Sequence, residues 1–151
     1  MNERKSITKE LIEIIQKSQI ISRLNITPKD VRIGVFYTGV VLSTGHAGMS
    51  YTPAQEIPEA VCCPRSHAKM PQAGNLLNFS VYDLMEYALD DNVLKAAVGV
   101  ATINALSAIL LEDDECPYKP SAYGNALDLI QISREDTVVM VGAFPPFIKR
   151  I

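Results

Sequence analysis

Along the first 22 residues, Ile7, Leu11, Ile14, Ile15 and Ile21 recur at the spacing that gathers apolar side chains on one face of a helix. The pattern predicts a helix over 7–22, with Ser6 or Thr8 as its cap and Glu13 and Lys17 paired one turn apart. Pro28 closes the segment. Val31, Ile33, Val35 and Tyr37 then alternate with Arg32, Gly34, Phe36 and Thr38, the period of a strand. Thr38-Gly39 offers a tight turn into Val40-Val41-Leu42, so a hairpin is expected. Gly45, Gly48, Pro53, Pro58, Pro64, Pro71 and Gly74 punctuate the next thirty residues. That spacing suits a long irregular connection, with short strands near 49–52 and 60–62.

The second half changes period. Ser80, with Asp83 three residues on, marks the start of a helix to about Leu89. A second helix is expected over Val93–Leu111, apolar nearly all round and rich in small residues, and therefore buried on several sides. Its uncharged run, Ala96 to Leu111, is shorter than the about 20 residues of a membrane span, so no membrane is expected. Asp90-Asp91 and Glu112–Glu115 read as solvated helix ends. A short helix over 125–130 leads to Thr137-Val138-Val139-Met140-Val141-Gly142, the continuous β-branched run of a buried strand. Ala143-Phe144-Pro145-Pro146 turns the chain into a helix start.

Composition narrows the class. The chain of 151 residues is 48% hydrophobic and 21% charged, enough for a core, which excludes disordered and disulfide-stapled chains. A net charge of −3 without basic blocks argues against nucleic acid. With no apolar leader in the first residues and three cysteines, two of them adjacent, a reducing cytoplasm is the expected location. The two Asn-x-Ser/Thr triplets at Asn25 and Asn78 are then chance matches.

Four places carry candidate chemistry. In Ser43–Thr52, Gly45 and Gly48 free the backbone to present N–H groups, and hydroxyls such as Thr52 flank the imidazole of His46. Such a loop can hold a small polar or anionic ligand, or its glycines merely permit positive φ at a hairpin end. Cys62-Cys63, with His46 and His67, supplies thiolate and imidazole donors for zinc or a softer transition metal. Adjacent side chains of an extended segment face opposite ways, so both cysteines reach one ion only at a bend. Asn104 interrupts the apolar helix, where a buried amide must tie down a loop or face a ligand. Gly142, followed by Phe144, ends the last strand where free N–H groups meet a ligand in many α/β sites. No Gly-rich nucleotide motif is present, and no spacing sets a nucleophile beside a base, which leaves a stand-alone enzyme the weakest reading.

Val98-Gly99-Val100-Ala101-Thr102-Ile103-Asn104-Ala105-Leu106 resembles the Gly-x-Ala-x-x-Asn-Ala helix of a heavy-metal chelation family, and Val141-Gly142-Ala143-Phe144-Pro145-Pro146 resembles its Val-Gly-x-Phe-Pro-Pro turn. The likeness runs from about Asp30 to the end. It implies an α+β fold: an enolase-N-terminal-like β-meander on helices over 1–118, then a linker and the truncated start of a Rossmann-like domain over 119–151. It also implies binding of a small polar ligand or metal chelate between the domains, through Gly45, His46, Gly48, Thr52, Asn104, Gly142 and Phe144, with His46, Cys62 and Cys63 as metal donors. The alternative is an interaction module completed by a partner chain, or by self-association, through the C-terminal segment.

Overall fold

The computed structural model describes residues 6–53, 72–114, 116–117, 124, 126–140, 142 and 145–149, and the chain divides into two units, Met1–Pro117 and Tyr118–Ile151. The first unit is α+β. Its strands β1 (Pro28–Ile33), β2 (Tyr37–Leu42) and β3 (Ala47–Tyr51) form an antiparallel sheet in the order β1-β2-β3. The strand expected near residues 49–52 is β3; the one expected near 60–62 lies outside the described residues.

The first hairpin turns earlier than the alternation suggests. Thr38 and Gly39 lie inside β2, paired with Ile33 and Arg32. The turn is at Gly34–Phe36, closed by the Gly34 N–H donating to the Tyr37 carbonyl at 2.9 Å. A Cβ on Gly34 would stand 2.8 Å from that carbonyl oxygen, so the bend requires glycine. Shifting the turn exchanges the faces of the strand after it. Thr38, Val40 and Leu42 point into the core, whereas Tyr37, which shares the sequence alternation of Val31 and Ile33, is 61% exposed.

The N-terminal helix is broken in two, α1 (Ile7–Lys17) and α2 (Gln19–Arg23). Ser18 makes the break, its hydroxyl accepting from the Ile21 N–H to cap α2. Ser6 stands at the α1 N-cap position without a side-chain cap bond. The buried residues are Ile12, Ile15 and Ile21, while Ile7, Leu11 and Ile14 of the expected stripe face solvent. Glu13 and Lys17 pair as expected, at 3.6 Å.

Helix α3 (Val81–Glu86) starts at Ser80 with a full capping box: the Ser80 hydroxyl accepts from the Asp83 N–H, and the Asp83 carboxylate accepts from the Ser80 N–H. A 3-10 turn, Tyr87–Leu89, extends it to the expected end. Helix α4 (Val93–Glu112) comes next, its first N–H groups satisfied by the Asn92 side chain. Asp90 is not a freely solvated end. It binds Lys95 at 2.8 Å, and that hydrogen bond holds its carboxyl below the usual carboxylate range while raising the Lys95 amine.

By length and composition α4 could cross a membrane, but 56% of its most apolar window is buried in the fold, as a core helix would be. It is sandwiched, with the sheet on one side and α3 with its 3-10 turn on the other. Leu84, Met85, Val98, Leu106 and Leu42 are all completely buried between these layers. The small residues act as expected of them. A Cβ on Gly48 of β3 would collide with the backbone of Ala101 and Ala105, and one on Gly99 with that of Tyr87 and Ala88.

The second unit contains two short helices, α5 (Ala126–Leu129) and α6 (Pro145–Ile148), where the sequence placed helical segments. The expected buried strand is absent from the described residues of 137–142. Residues 137–140 are in no sheet, and Val138 and Val139 are 38% and 86% exposed. β-branched residues favour a strand only where a neighbour completes the hydrogen-bond ladder, and no described residue does so.

Candidate functional site

The β2–β3 turn, residues 43–46, is built to hold one imidazole. The Gly45 N–H donates to the Leu42 carbonyl at 2.9 Å, and the Leu42 N–H to the His46 carbonyl at 2.8 Å. Gly45 sits at φ +90° with open space where a Cβ would go, so conformation alone demands glycine. His46 Nδ1 lies 2.9 Å from Thr44 Oγ1, and Nε2 lies 2.9 Å from Glu112 Oε2. The His46 side chain is only 20% exposed, against 74% for that of Glu112. Both ring nitrogens are engaged, so the ring is oriented from two sides.

This pairing joins residues 66 positions apart and was not legible in the sequence, where Glu112 looks like a solvated helix end. The location favours positive charge. It is the C-terminal, negative end of a 20-residue helix, continued by Asp113 and Asp114, and no basic residue occupies the helix's last turn.

The remaining candidates are more dispersed. Gly48 is where β3 and α4 touch backbone to backbone. Thr52 is buried, its hydroxyl 2.8 Å from that of Thr38, a pair that satisfies both. Asn104 is exposed rather than buried, and its Nδ2 donates to the Met49 carbonyl at 2.7 Å, tying α4 to β3 beside Gly48. Gly142 lies in the second unit at φ +83°. Phe144, Cys62, Cys63 and His67 lie outside the described residues. The structure therefore brings His46 together with Thr44 and Glu112, and joins Gly48 and Asn104 at a packing seam.

The Asn104 geometry sets a modest cost for its loss. Because the side chain is exposed, water can reach the Met49 carbonyl once the amide is gone. Asn104→Leu is expected to lower stability by about 1 kcal/mol, the low end for a lost hydrogen bond. Urea melts measure this, and a loss above about 3 kcal/mol would show that the amide holds more than this one bond.

Whether His46 and Glu112 fit a metal ion is a matter of distance and number. An imidazole nitrogen and a carboxylate oxygen, each about 2.1 Å from one ion, lie about 3.0 Å apart at a right angle and about 3.4 Å apart in a tetrahedron. The observed 2.9 Å needs an opening of about half an ångström or less. The number falls short: among the described residues no three His, Cys, Asp or Glu side chains gather. Zinc sites use three or four protein donors. The pair fits an ion as part of a larger donor set.

An α+β domain whose core helix ends on a histidine–carboxylate pair is the class defined here. The chain belongs to the family described as "Putative heavy-metal chelation", whose model matches residues 19–107. No curated protein and no solved structure matches the chain.

Proposed function

We propose that this chain binds a transition metal ion of zinc-like or softer character, or a small polar chelate carrying one, at the end of α4. The observation that carries this reading is the pair His46 Nε2 and Glu112 Oε2, 2.9 Å apart at the negative end of the helix, with Thr44 fixing the other ring nitrogen. An ion entering between Nε2 and Oε2 would meet an imidazole nitrogen and a carboxylate oxygen without rebuilding the turn. Cys62 and Cys63 are the thiolate donors that the sequence adds, and a chelate would bring its own. The family's description supports metal as the cargo.

Calorimetric titration with Zn²⁺ and Ni²⁺ tests the proposal. Wild-type chain is expected to bind about one ion, with His46→Ala and Glu112→Gln, each removing one of the direct donors, weakening binding at least about tenfold. Cys62→Ser/Cys63→Ser removes the thiolate-to-metal absorption of a Co²⁺ complex if the cysteines take part. Equal titrations for wild type and His46→Ala would remove the site.

A second reading, an interaction module completed by a partner chain, is supported by the second unit. Val139 is 86% exposed and Leu129, Ile130 and Ile148 are each more than half exposed. Exposed apolar side chains at these four positions of one short unit are the material of such an interface.

A further inference from the structure

We propose that Thr44 is a positioning residue for metal binding, its hydroxyl donating to His46 Nδ1 in the metal-free protein and accepting from it once Nε2 holds an ion. The inference rests on the binding reading above and adds to it the exchange of roles at the ring. Two oxygens meet the imidazole: Thr44 Oγ1 lies 2.9 Å from Nδ1, and Glu112 Oε2 lies 2.9 Å from Nε2. An ionised carboxylate only accepts, and a neutral imidazole carries one N–H. In the metal-free turn the ring's proton therefore sits on Nε2 and is donated to Glu112. Nδ1 is then a bare acceptor, and the hydroxyl satisfies it by donating.

Coordination reverses these roles. A ring nitrogen binds an ion through its lone pair, so Nε2 gives up its proton to water and Nδ1 takes one from water. The ring keeps a single N–H and its charge does not change. Nδ1, now a donor, needs an acceptor. A carbonyl or carboxylate beside it would serve only this second state, and an N–H only the first. A hydroxyl serves both, because rotation about its C–O bond exchanges donor for acceptor without moving the oxygen.

The turn keeps that hydroxyl available. Ser43, the other hydroxyl residue of the turn, is committed to the fold, its Oγ accepting from the Thr27 N–H at 3.1 Å. Among the described residues the Thr44 hydroxyl meets only His46 Nδ1. Thr44 is exposed, so its side chain contributes the orientation of the ring rather than the stability of the sheet. Partners of this kind behind a ligating imidazole are worth about ten- to a hundredfold in metal affinity, and exposure to water places Thr44 at the lower end.

Nitrogen-15 NMR of the full chain, at a pH of about 8 where an ordinary imidazole is neutral, reads both states. The chain has 2 histidines, and His46→Ala identifies the signals of His46. The metal-free protein is expected to show Nε2 protonated and Nδ1 bare. With Zn²⁺, Nδ1 should be protonated, and its N–H should exchange slowly with water in wild type and Thr44→Ser. Thr44→Val should melt at the wild-type temperature, lose that protection and bind Zn²⁺ about tenfold more weakly, with Thr44→Ser within about threefold of wild type. If Thr44→Val melts early, Thr44→Ala, which adds no bulk, takes its place. A proton on Nδ1, or on both nitrogens, in the metal-free chain overturns the proposal. So does equal Zn²⁺ affinity in wild type and the variant without a hydroxyl, which would leave His46 a ligand and Thr44 a bystander. Zn²⁺ that changes neither His46 nitrogen removes the binding reading itself, and the exchange with it.

Discussion

Gly99→Ala should destabilise the first unit, although alanine is the better helix former by about 1 kcal/mol. Propensity and packing oppose each other at this position, and the contact distances decide between them. The added Cβ would lie 2.6 Å from the Tyr87 carbonyl carbon and the Ala88 Cα, and would collide with the Ala88 nitrogen. These are backbone atoms of the 3-10 turn after α3, with no flexible side chain to swing aside. Either that turn or α4 must move, and α4 is held on its other side by the Gly48 contact with Ala101 and Ala105. Overpacking of this kind costs about 1–3 kcal/mol and more where backbone must shift, so a net loss of at least about 2 kcal/mol is expected. Gly48→Ala meets the same obstacle from the sheet side. Urea denaturation of both variants measures the effect, and a Gly99→Ala protein as stable as wild type would mean that the seam is looser than it looks.

The second large effect is expected at Leu106. This side chain is completely buried at the centre of α4, between sheet and helices. Leu106→Ala removes its burial and leaves a cavity that α4, fixed by glycine seams on both sides, cannot close by sliding. The expected loss is about 3–5 kcal/mol, the upper part of the range for such truncations. For a domain of this size that lowers the melting temperature by roughly 10–20 °C. Val100→Ala on the same helix is the control: Val100 is 38% exposed, and its change should stay within about 0.5 kcal/mol. A Leu106→Ala melt that matches the control would contradict the sandwich.

What the sequence made legible was local. Ser80 and Asp83 announced the α3 cap because both halves of a capping box sit three residues apart. α4 was legible because an uninterrupted apolar run with small residues has one physical home. The misreadings arose where local signals conflicted. Isoleucines occupy both sides of α1, so the expected stripe took in the buried Ile15 and Ile21 but also the exposed Ile7, Leu11 and Ile14, and missed the buried Ile12. The first turn carries Val35 and Phe36, which look like strand residues, while Gly39, which looks like a turn, sits inside β2. The run at 137–140 had strand propensity and no ladder to join. At the site, His46 could be singled out from its glycine-rich surroundings. Glu112 could not, because nothing local ties it to a residue 66 positions earlier.

The sandwiching of α4 also orders events in time. The meander closes through short turns between neighbouring strands, whereas the Asn104–Met49 bond that docks α4 spans 55 positions. Local hairpins form in microseconds, and long closures come later. Until α4 arrives, Val40 and Leu42 on one face and Tyr37, Met49 and Tyr51 on the other are bare together. A three-stranded sheet in that condition is marginally stable and offers open edges. Two captures then compete: the chain's own helix, at a rate independent of concentration, and other chains, at a rate that rises with it. Refolding yield therefore falls with protein concentration, and dilution rather than slower denaturant removal is the condition that favours the native domain.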